Sequence, residues 1–389
     1  MEFTYLIMPF RLPSSRINWT NSAFLIGTFV VTCTAVPLYL WKYGVDTFQV
    51  SMFLFFFIAT GLSITLGYHR LFSHVAFQAS WPVRLLTLIF GAAAFENSAM
   101  HWVSDHRRHH KHVDHADDPY DISQGFWYAH MGWILFKLDA EQPLDNIQDL
   151  RKDRIFMLQD KYYTAIAVGV GLVAPAVLGF LHSGWLGALG GFLLAGVARV
   201  TAVQHMTFFI NSLCHTVGSQ PYSDRCSARD SWIMAIFTFG EGYHNYHHEF
   251  QHDYRNGVKW WQWDPTKWSI WTLEKLHLVR GLRRVPEEKV LISQLADTRR
   301  RLNERLTCQK TVLNARIREM LTNSDAKLHE LNERWTALKA QYAEKADALK
   351  SEYSEKAGHQ LEEARAALAE IRREVHQALF LLERTHALA

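Results

Sequence analysis

Four long apolar stretches set the outer limits of what this chain can become. They run over about 22–41, 48–67, 162–182 and 185–208, each near the ~20 helical residues needed to cross a bilayer's hydrocarbon core. The stretch from Met52 to Leu66 has no polar face, whereas a soluble four-helix bundle needs one on every helix. The pattern therefore predicts an all-α integral membrane protein whose four transmembrane helices pair into two hairpins. The connector after Trp41 carries only Lys42 and Asp46 as charges, and the one around His182 to Gly184 has no Lys or Arg. Basic residues gather before residue 22, between 69 and 161, and after 209, which places both termini and a helical cap in the cytosol. A bacterial inner membrane is favoured over the endoplasmic reticulum. The first run lacks a small-residue cleavage site and reads as an anchor. A shorter apolar run from Trp81 to about Ala94 predicts a helix at the interface or buried against the cap.

A near-neutral mean hydropathy hides two unlike parts. An arm (1–21) and a Trp/Phe-rich membrane domain (22–284, with cap segments 69–161 and 209–284) precede a charged Ala/Glu/Leu/Arg tail (285–389). In the tail, apolar residues recur every three or four positions at Leu328, Leu331, Trp335, Leu338 and Tyr342. They do so again from Leu361 through Ala364, Leu368, Ile371, Val375 and Ala378 to Leu382, with a drift in phase near Gly358. A coiled coil or helical hairpin is expected there, either packing on itself or forming a homodimer. A net charge of +3 without a basic, aromatic-interleaved stripe excludes nucleic acid as a partner. Cys33, Cys214, Cys226 and Cys308 form no CxxC pair, as expected of a reduced compartment.

Most of the 21 histidines sit at or beyond the cytosolic ends of the spans. Box one is HRLFSH (His69, His74), box two HRRHH (His106, His109, His110) and box three HNYHH (His244, His247, His248). On a helix, residues i, i+3 and i+4 share a face, so each triplet is expected to present three imidazoles to one point. A set this large exceeds the three or four ligands of one zinc. Two redox-active metals with nitrogen ligands fit the count. Asp105, Asp114, Asp117, Asp118 and Glu241 stand beside the boxes, where carboxylates fix the tautomer of ligating histidines. His101, His112, His115, His130, His182, His205 and His252 read as capping or packing residues.

With these residues in view, GYHRLFSH, SDHRRHHKHVDHADDP, INSLCH and GEGYHNYHHEFQHDYRNG resemble the membrane fatty acyl desaturases of the stearoyl-CoA desaturase type, over roughly 20–280. The resemblance implies that the three boxes ligate two irons (Fe2+/Fe3+) with O2 as co-substrate. It adds His215 as a ligand and Asn211 acting through a water. It also implies four spans under a cytosolic cap, a kinked acyl tunnel lined by Trp102, and Glu96 where the family has a Gln at the bend. Asn97 and Asp105 match headgroup contacts, with Glu241 and Asp118 behind the ligands. Two basic positions of the family's CoA clamp read Ser104 and Leu138 here, beside Asp105 and Lys137. Lost positive charge weakens phosphate binding, so a long-chain saturated acyl-CoA is favoured only narrowly over an acyl-phospholipid.

Unactivated methylenes resist acid–base chemistry, so a metal cofactor must carry their oxidation. The reading is an O2-dependent desaturase making a cis, Δ9-type double bond. Its electrons come from a separate ferredoxin-like or cytochrome b5-like donor with its reductase, since no His-Pro-Gly-Gly segment is present. Rival readings are a di-iron membrane hydroxylase, a non-catalytic bis-His haem protein, and a scaffold acting through its tail.

Overall fold

The computed structural model describes residues 16–136, 143–308, 322–323, 326–327, 329–338, 340, 366–378 and 380–381. Lys137 and Leu138, and the tail positions Leu328, Tyr342, Gly358, Leu361, Ala364 and Leu382, lie outside the described residues. The chain divides into two compact units, residues 1–219 with 226–284, and residues 220–225 with 285–389.

Helix dominates the first unit. Helix α1 (Trp19–Tyr43) starts where the Asn18 side chain accepts from the Asn21 backbone N–H and ends at Gly44, with φ +72°. After a three-residue turn, α2 (Thr47–Ser73) opens with a capping box: Asp46 accepts from the Gln49 N–H, and the Gln49 side chain accepts from the Asp46 N–H. These contacts satisfy amide donors that the helix itself leaves orphaned. From Ser63 to Ser73 the helix widens into π turns, and the His74 N–H reaches the His69 carbonyl five residues back. A short strand β1 (Gln78–Ala79) leads into α3 (Trp81–Ala92), the short apolar helix expected near that position. Helix α4 (Ala99–His112) carries the second histidine box, and α5 (Arg154–Lys161) packs near it. Tyr68, Phe72, Leu88, Val103, Phe156 and Ile270 meet in a buried core there.

The sequence predicts separate spans at 162–182 and 185–208; the structure has one 53-residue apolar helical run, α6 (Tyr163–His215). Its course breaks at Ser183 (φ −148°) and Gly184 (φ +67°), the second being a conformation that glycine adopts without steric cost. The two legs touch: a Cβ on Gly179 would stand 2.0 Å from the Gly187 carbonyl oxygen, and one on Gly191 would stand 2.1 Å from that of Pro175. Small residues let apolar helices approach this closely where lipid gives no hydrophobic drive. The described residues thus hold three runs long and apolar enough to cross a membrane, α1, α2 and α6.

Arg199 sits inside α6 with no exposed surface. Its guanidinium donates to the carbonyls of Ala195 (3.0 Å), Ala93 (2.5 Å) and Gly171 (2.7 Å). Ala93 lies just past the end of α3, and Gly171 lies in the π turns of Gly169–Val173. Both carbonyls belong to backbone whose regular helical bonding is interrupted, a need that must be met within the protein where no water reaches. Arg199 thereby ties the end of α3 to α6.

Beyond α6 come α7 (Trp232–Phe237), α8 (His244–Glu249, the third box) and α9 (Pro265–Lys275). Strand β2 (Val279–Arg280) closes an antiparallel ladder on β1, with Gln78 opposite Arg280. The second unit contains α10 (Glu287–Cys308). Leu291, Leu295, Leu331, Ile371 and Val375 form its buried cluster, and Arg372–Glu288 (2.7 Å) and Arg334–Glu374 (3.1 Å) pair around it.

Candidate metal centre

Nine histidines from four segments converge in two groups. His69, His74, His106, His110 and His247 form one, and His109, His215, His244 and His248 the other; within each group the ring nitrogens lie within 4.8 Å of one another. Neither triplet addresses a single point, which corrects the simple face argument. In each box the i and i+4 residues enter one group (His106 and His110; His244 and His248) while i+3 enters the other (His109; His247). At about 100° per residue, i+3 and i+4 leave the helix about 100° apart, so each box straddles both groups. His69 and His74 present the opposite case. Five residues apart on an α-helix they would diverge by about 140°, yet the π turns bring their rings to 4.8 Å, as such bulges often do at functional sites.

The nitrogens confront one another. Six Nε2–Nε2 pairs lie at 2.9–3.3 Å: 69–247, 74–106, 110–247, 109–248, 215–244 and 244–248. Three of the opposite ring nitrogens have partners of their own, whereas among the described residues Nδ1 of His244 and of His247 is buried without one. His109 Nδ1 donates to Asp118 (2.8 Å), His215 Nδ1 to the Ser227 hydroxyl (2.7 Å), and His69 Nδ1 faces Glu241 at 2.8 Å. A proton held on Nδ1 leaves the lone pair on Nε2, so lone pairs point at lone pairs, an arrangement that a cation between them relieves. Desolvation first, and neighbouring imidazoles second, push His74, His106, His110, His244, His247 and His248 well below the usual histidine range. Neutral imidazole is the ligating form. The donor set therefore fits two nitrogen-bound transition metals.

Buried groups orient these rings. Glu241 takes two bonds from Arg70 (3.0 and 2.8 Å) and one from Asn256 (2.5 Å), while Arg70 also holds Asp264 (3.1 and 3.0 Å). Burial alone would raise the Glu241 carboxyl; the Arg70 charge and then His69 bring it below its ordinary value. Asp118 accepts from the Tyr120 and Asp114 amides (2.9 and 3.2 Å), and desolvation there is likewise outweighed by His109. The Ser227 hydroxyl donates in turn to Asp114 (2.5 Å). Sequence spacing singled out Glu241 and Asp118 but missed Arg70, Asp264, Asn256 and Ser227, which no local pattern marks.

An apolar cavity adjoins both groups. His69 and His106 from one group and His244 from the other line it, with Trp102 and Asn211. Gly61, Ile64 and Thr65 of α2 face Val203, Met206, Thr207 and Ile210 of α6 across it, both sets at helical spacing. Trp102 stacks on His106 (4.9 Å, 19°). Glu96 accepts from the Trp102 indole (3.3 Å) and the Thr207 hydroxyl (2.8 Å), and burial lifts its carboxyl to about 8. The raised value favours its neutral, protonated form near neutral pH. Asn97 is exposed, its backbone N–H donating to the Tyr163 hydroxyl (3.1 Å), and neither it nor Asp105 lines the cavity. Desolvation raises Asp105 to about 6. Among the described residues, His101, His112, His115, His130, His182, His205 and His252 stand outside both groups.

Fold and site together define an integral membrane protein with two histidine groups that could hold metal ions beside an apolar cavity. The fatty acid desaturase family model matches residues 48–279. The chain belongs to the fatty acid desaturase family. It is 39% identical over 297 residues to acyl-CoA desaturase 1 of Saccharomyces cerevisiae, covering 75% of this chain and 56% of that one. It is 38% identical over 281 residues to a probable acyl-CoA desaturase of Schizosaccharomyces pombe (71% and 56%). It is 32% identical over 271 residues to the sn-1 stearoyl-lipid 9-desaturase of Anabaena variabilis (69% and 94%). The chain thus spans just over half the length of the two yeast relatives.

Proposed function

We propose that the chain is an O2-dependent fatty acyl desaturase that introduces a cis, Δ9-type double bond into a saturated chain. The observation that carries this reading is that His69, His106 and His244, drawn from both histidine groups, line the apolar cavity. His69, His74, His106, His110 and His247 would hold one iron, and His109, His215, His244 and His248 the other, with Asn211 acting through a water. Two such irons, cycling between Fe2+ and Fe3+, supply with O2 the oxidising power for C–H removal that side chains lack.

The residues around them set geometry and register. Glu241 and Asp118 keep His69 and His109 with Nδ1 toward a carboxylate and Nε2 toward the centre. Trp102, Ile64, Val203 and Ile210 enclose the methylenes and exclude water, and neutral Glu96 holds Trp102 and Thr207 in place without setting a charge beside the chain. Asn97 and Asp105 are assigned to the headgroup side.

The reading also includes four membrane crossings, with α6 contributing two legs, both termini in the cytosol of a bacterial inner membrane, and a cap over 69–161 and 209–284. An arm (1–21), a desaturase domain (22–284) and a helical tail (285–389) that mediates homodimerisation complete it. Electrons come from a ferredoxin-like or cytochrome b5-like donor with its reductase. Acyl-CoA is the favoured carrier, in line with the names of the yeast relatives. Purified iron-loaded protein, given a donor and either stearoyl-CoA or a stearoyl phospholipid, is expected to yield a monounsaturated chain by gas chromatography. A hydroxylated chain overturns the reading in favour of a hydroxylase, and a Soret band in favour of a haem protein.

A further inference from the structure

The exposed surface of α2 ends abruptly. Leu54, Phe55 and Ile58 are exposed, but none of residues 59–73 is. Phe239 covers Gly61 and lies tilted against the Phe57 ring (5.6 Å), and the Thr266 hydroxyl meets that of Thr65 at 2.7 Å. Thr65 lies about 27 Å along the axis from Thr47, where α2 begins, close to the far edge of a hydrocarbon core ~30 Å thick that a headgroup zone ~5–7 Å deep borders on each side. Helix α9, which begins at Pro265, thus leaves the α2 wall at the depth of that zone.

The outward face of α9 has the composition that depth calls for. Thr266, Lys267 and Ile270 are buried, whereas Trp268, Trp271, Thr272 and Lys275 form an exposed stripe at i, i+3, i+4 and i+7. Lys275 Nζ lies 5.5 Å from the Trp271 ring. Trp rings bordered by Lys are typical of membrane interfaces, where an apolar body meets a charged tip. The surface continues beyond the helix: the Ser80 N–H bonds the Leu278 carbonyl (2.9 Å), next to Trp81, which is 62% exposed at the start of α3. Trp19, 71% exposed, opens α1 at the same end of the α1–α2 hairpin.

We propose that the Trp268–Trp271–Lys275 stripe, continued by Trp81, seats in the phospholipid headgroup layer of the bilayer that the apolar runs cross. Continuity with the lipid-facing surface of α2 selects the bilayer over a soluble partner. The anchor reaches the metal centre through one chain of contacts. Asp264, which caps α9 by accepting from the Lys267 N–H (2.8 Å), also holds Arg70, and Arg70 holds the carboxylate facing His69. The proposal is independent of the reaction catalysed.

The full chain, in phosphatidylcholine nanodiscs brominated either just below the headgroups or near the chain ends, tests it. The chain has 14 tryptophans, so the signal is the difference between wild type and Trp268→Phe/Trp271→Phe, with an unchanged Tm showing that the variant is folded. The fluorescence lost on substitution is expected to be the part quenched by shallow bromine and spared by deep bromine and aqueous iodide. If the lost fluorescence is instead quenched by iodide and untouched by bromine at either depth, the stripe faces water, and a soluble protein or a second copy is its partner.

Discussion

His69 and His247 stand 178 residues apart in the chain and face each other Nε2 to Nε2 at 3.0 Å, both buried. His247 also meets His110 at 2.9 Å, so removing it opens one histidine group while the other keeps all four members. His247→Ala is expected to lose about half the bound iron and to lower desaturation at least ~100-fold, with the protein still in the membrane fraction. His248→Ala should remove the other half. Elemental analysis of the purified variants and lipid profiles of expressing cells check both; full iron retention in either variant would refute the division.

Asp118 and Ser227 touch histidines rather than the cavity. Loss of such a partner typically costs ~10–100-fold in metal affinity. Asp118→Asn and Ser227→Ala are therefore expected to release iron to a chelator faster than wild type while folding normally, as followed by competition against a chromogenic chelator.

Glu96 links stability to pH. Its ordinary value is 4.5 and burial lifts it to about 8, so between those values the folded chain keeps a proton that the unfolded chain has lost. Stability then falls as pH rises through that window, by up to about 1.4 kcal/mol per pH unit. Above about 8 the full penalty is present. Glu96→Gln removes the titrating group and keeps an acceptor for the Trp102 indole. Thermal melts in detergent from pH 5 to 9 should show a Tm decline in wild type that is flattened in the variant.

Gly179 and Gly191 mark where the two legs of α6 touch. A side chain at either position meets backbone, which cannot move aside as a flexible side chain can. Gly179→Val is expected to destabilise the fold by about 1–3 kcal/mol, the usual cost of overpacking, and Gly27→Val, where no atom lies within 4 Å of the added Cβ, to leave it unchanged. Melting followed by size-exclusion chromatography compares them.

What could be read from the chain alone were its short periods. Runs of some twenty apolar residues announce membrane helices because lipid offers the backbone no other partner, and HRRHH or HNYHH announces ring clusters because helical neighbours are three or four residues apart. The division of each box between two groups was not legible, since it depends on which side of α4 and α8 the other segments pack. The 69–74 pairing depended on π turns that local spacing does not reveal. Arg70, Asp264, Asn256 and Ser227 are ordinary polar residues in sequence, and their partners lie up to 194 residues away. The same holds for Glu96, whose proton is kept by burial beneath Trp102 and Thr207. Local periodicity encodes elements and their chemistry, whereas the shared surfaces that set distances and protonation exist only once distant segments have closed on one another.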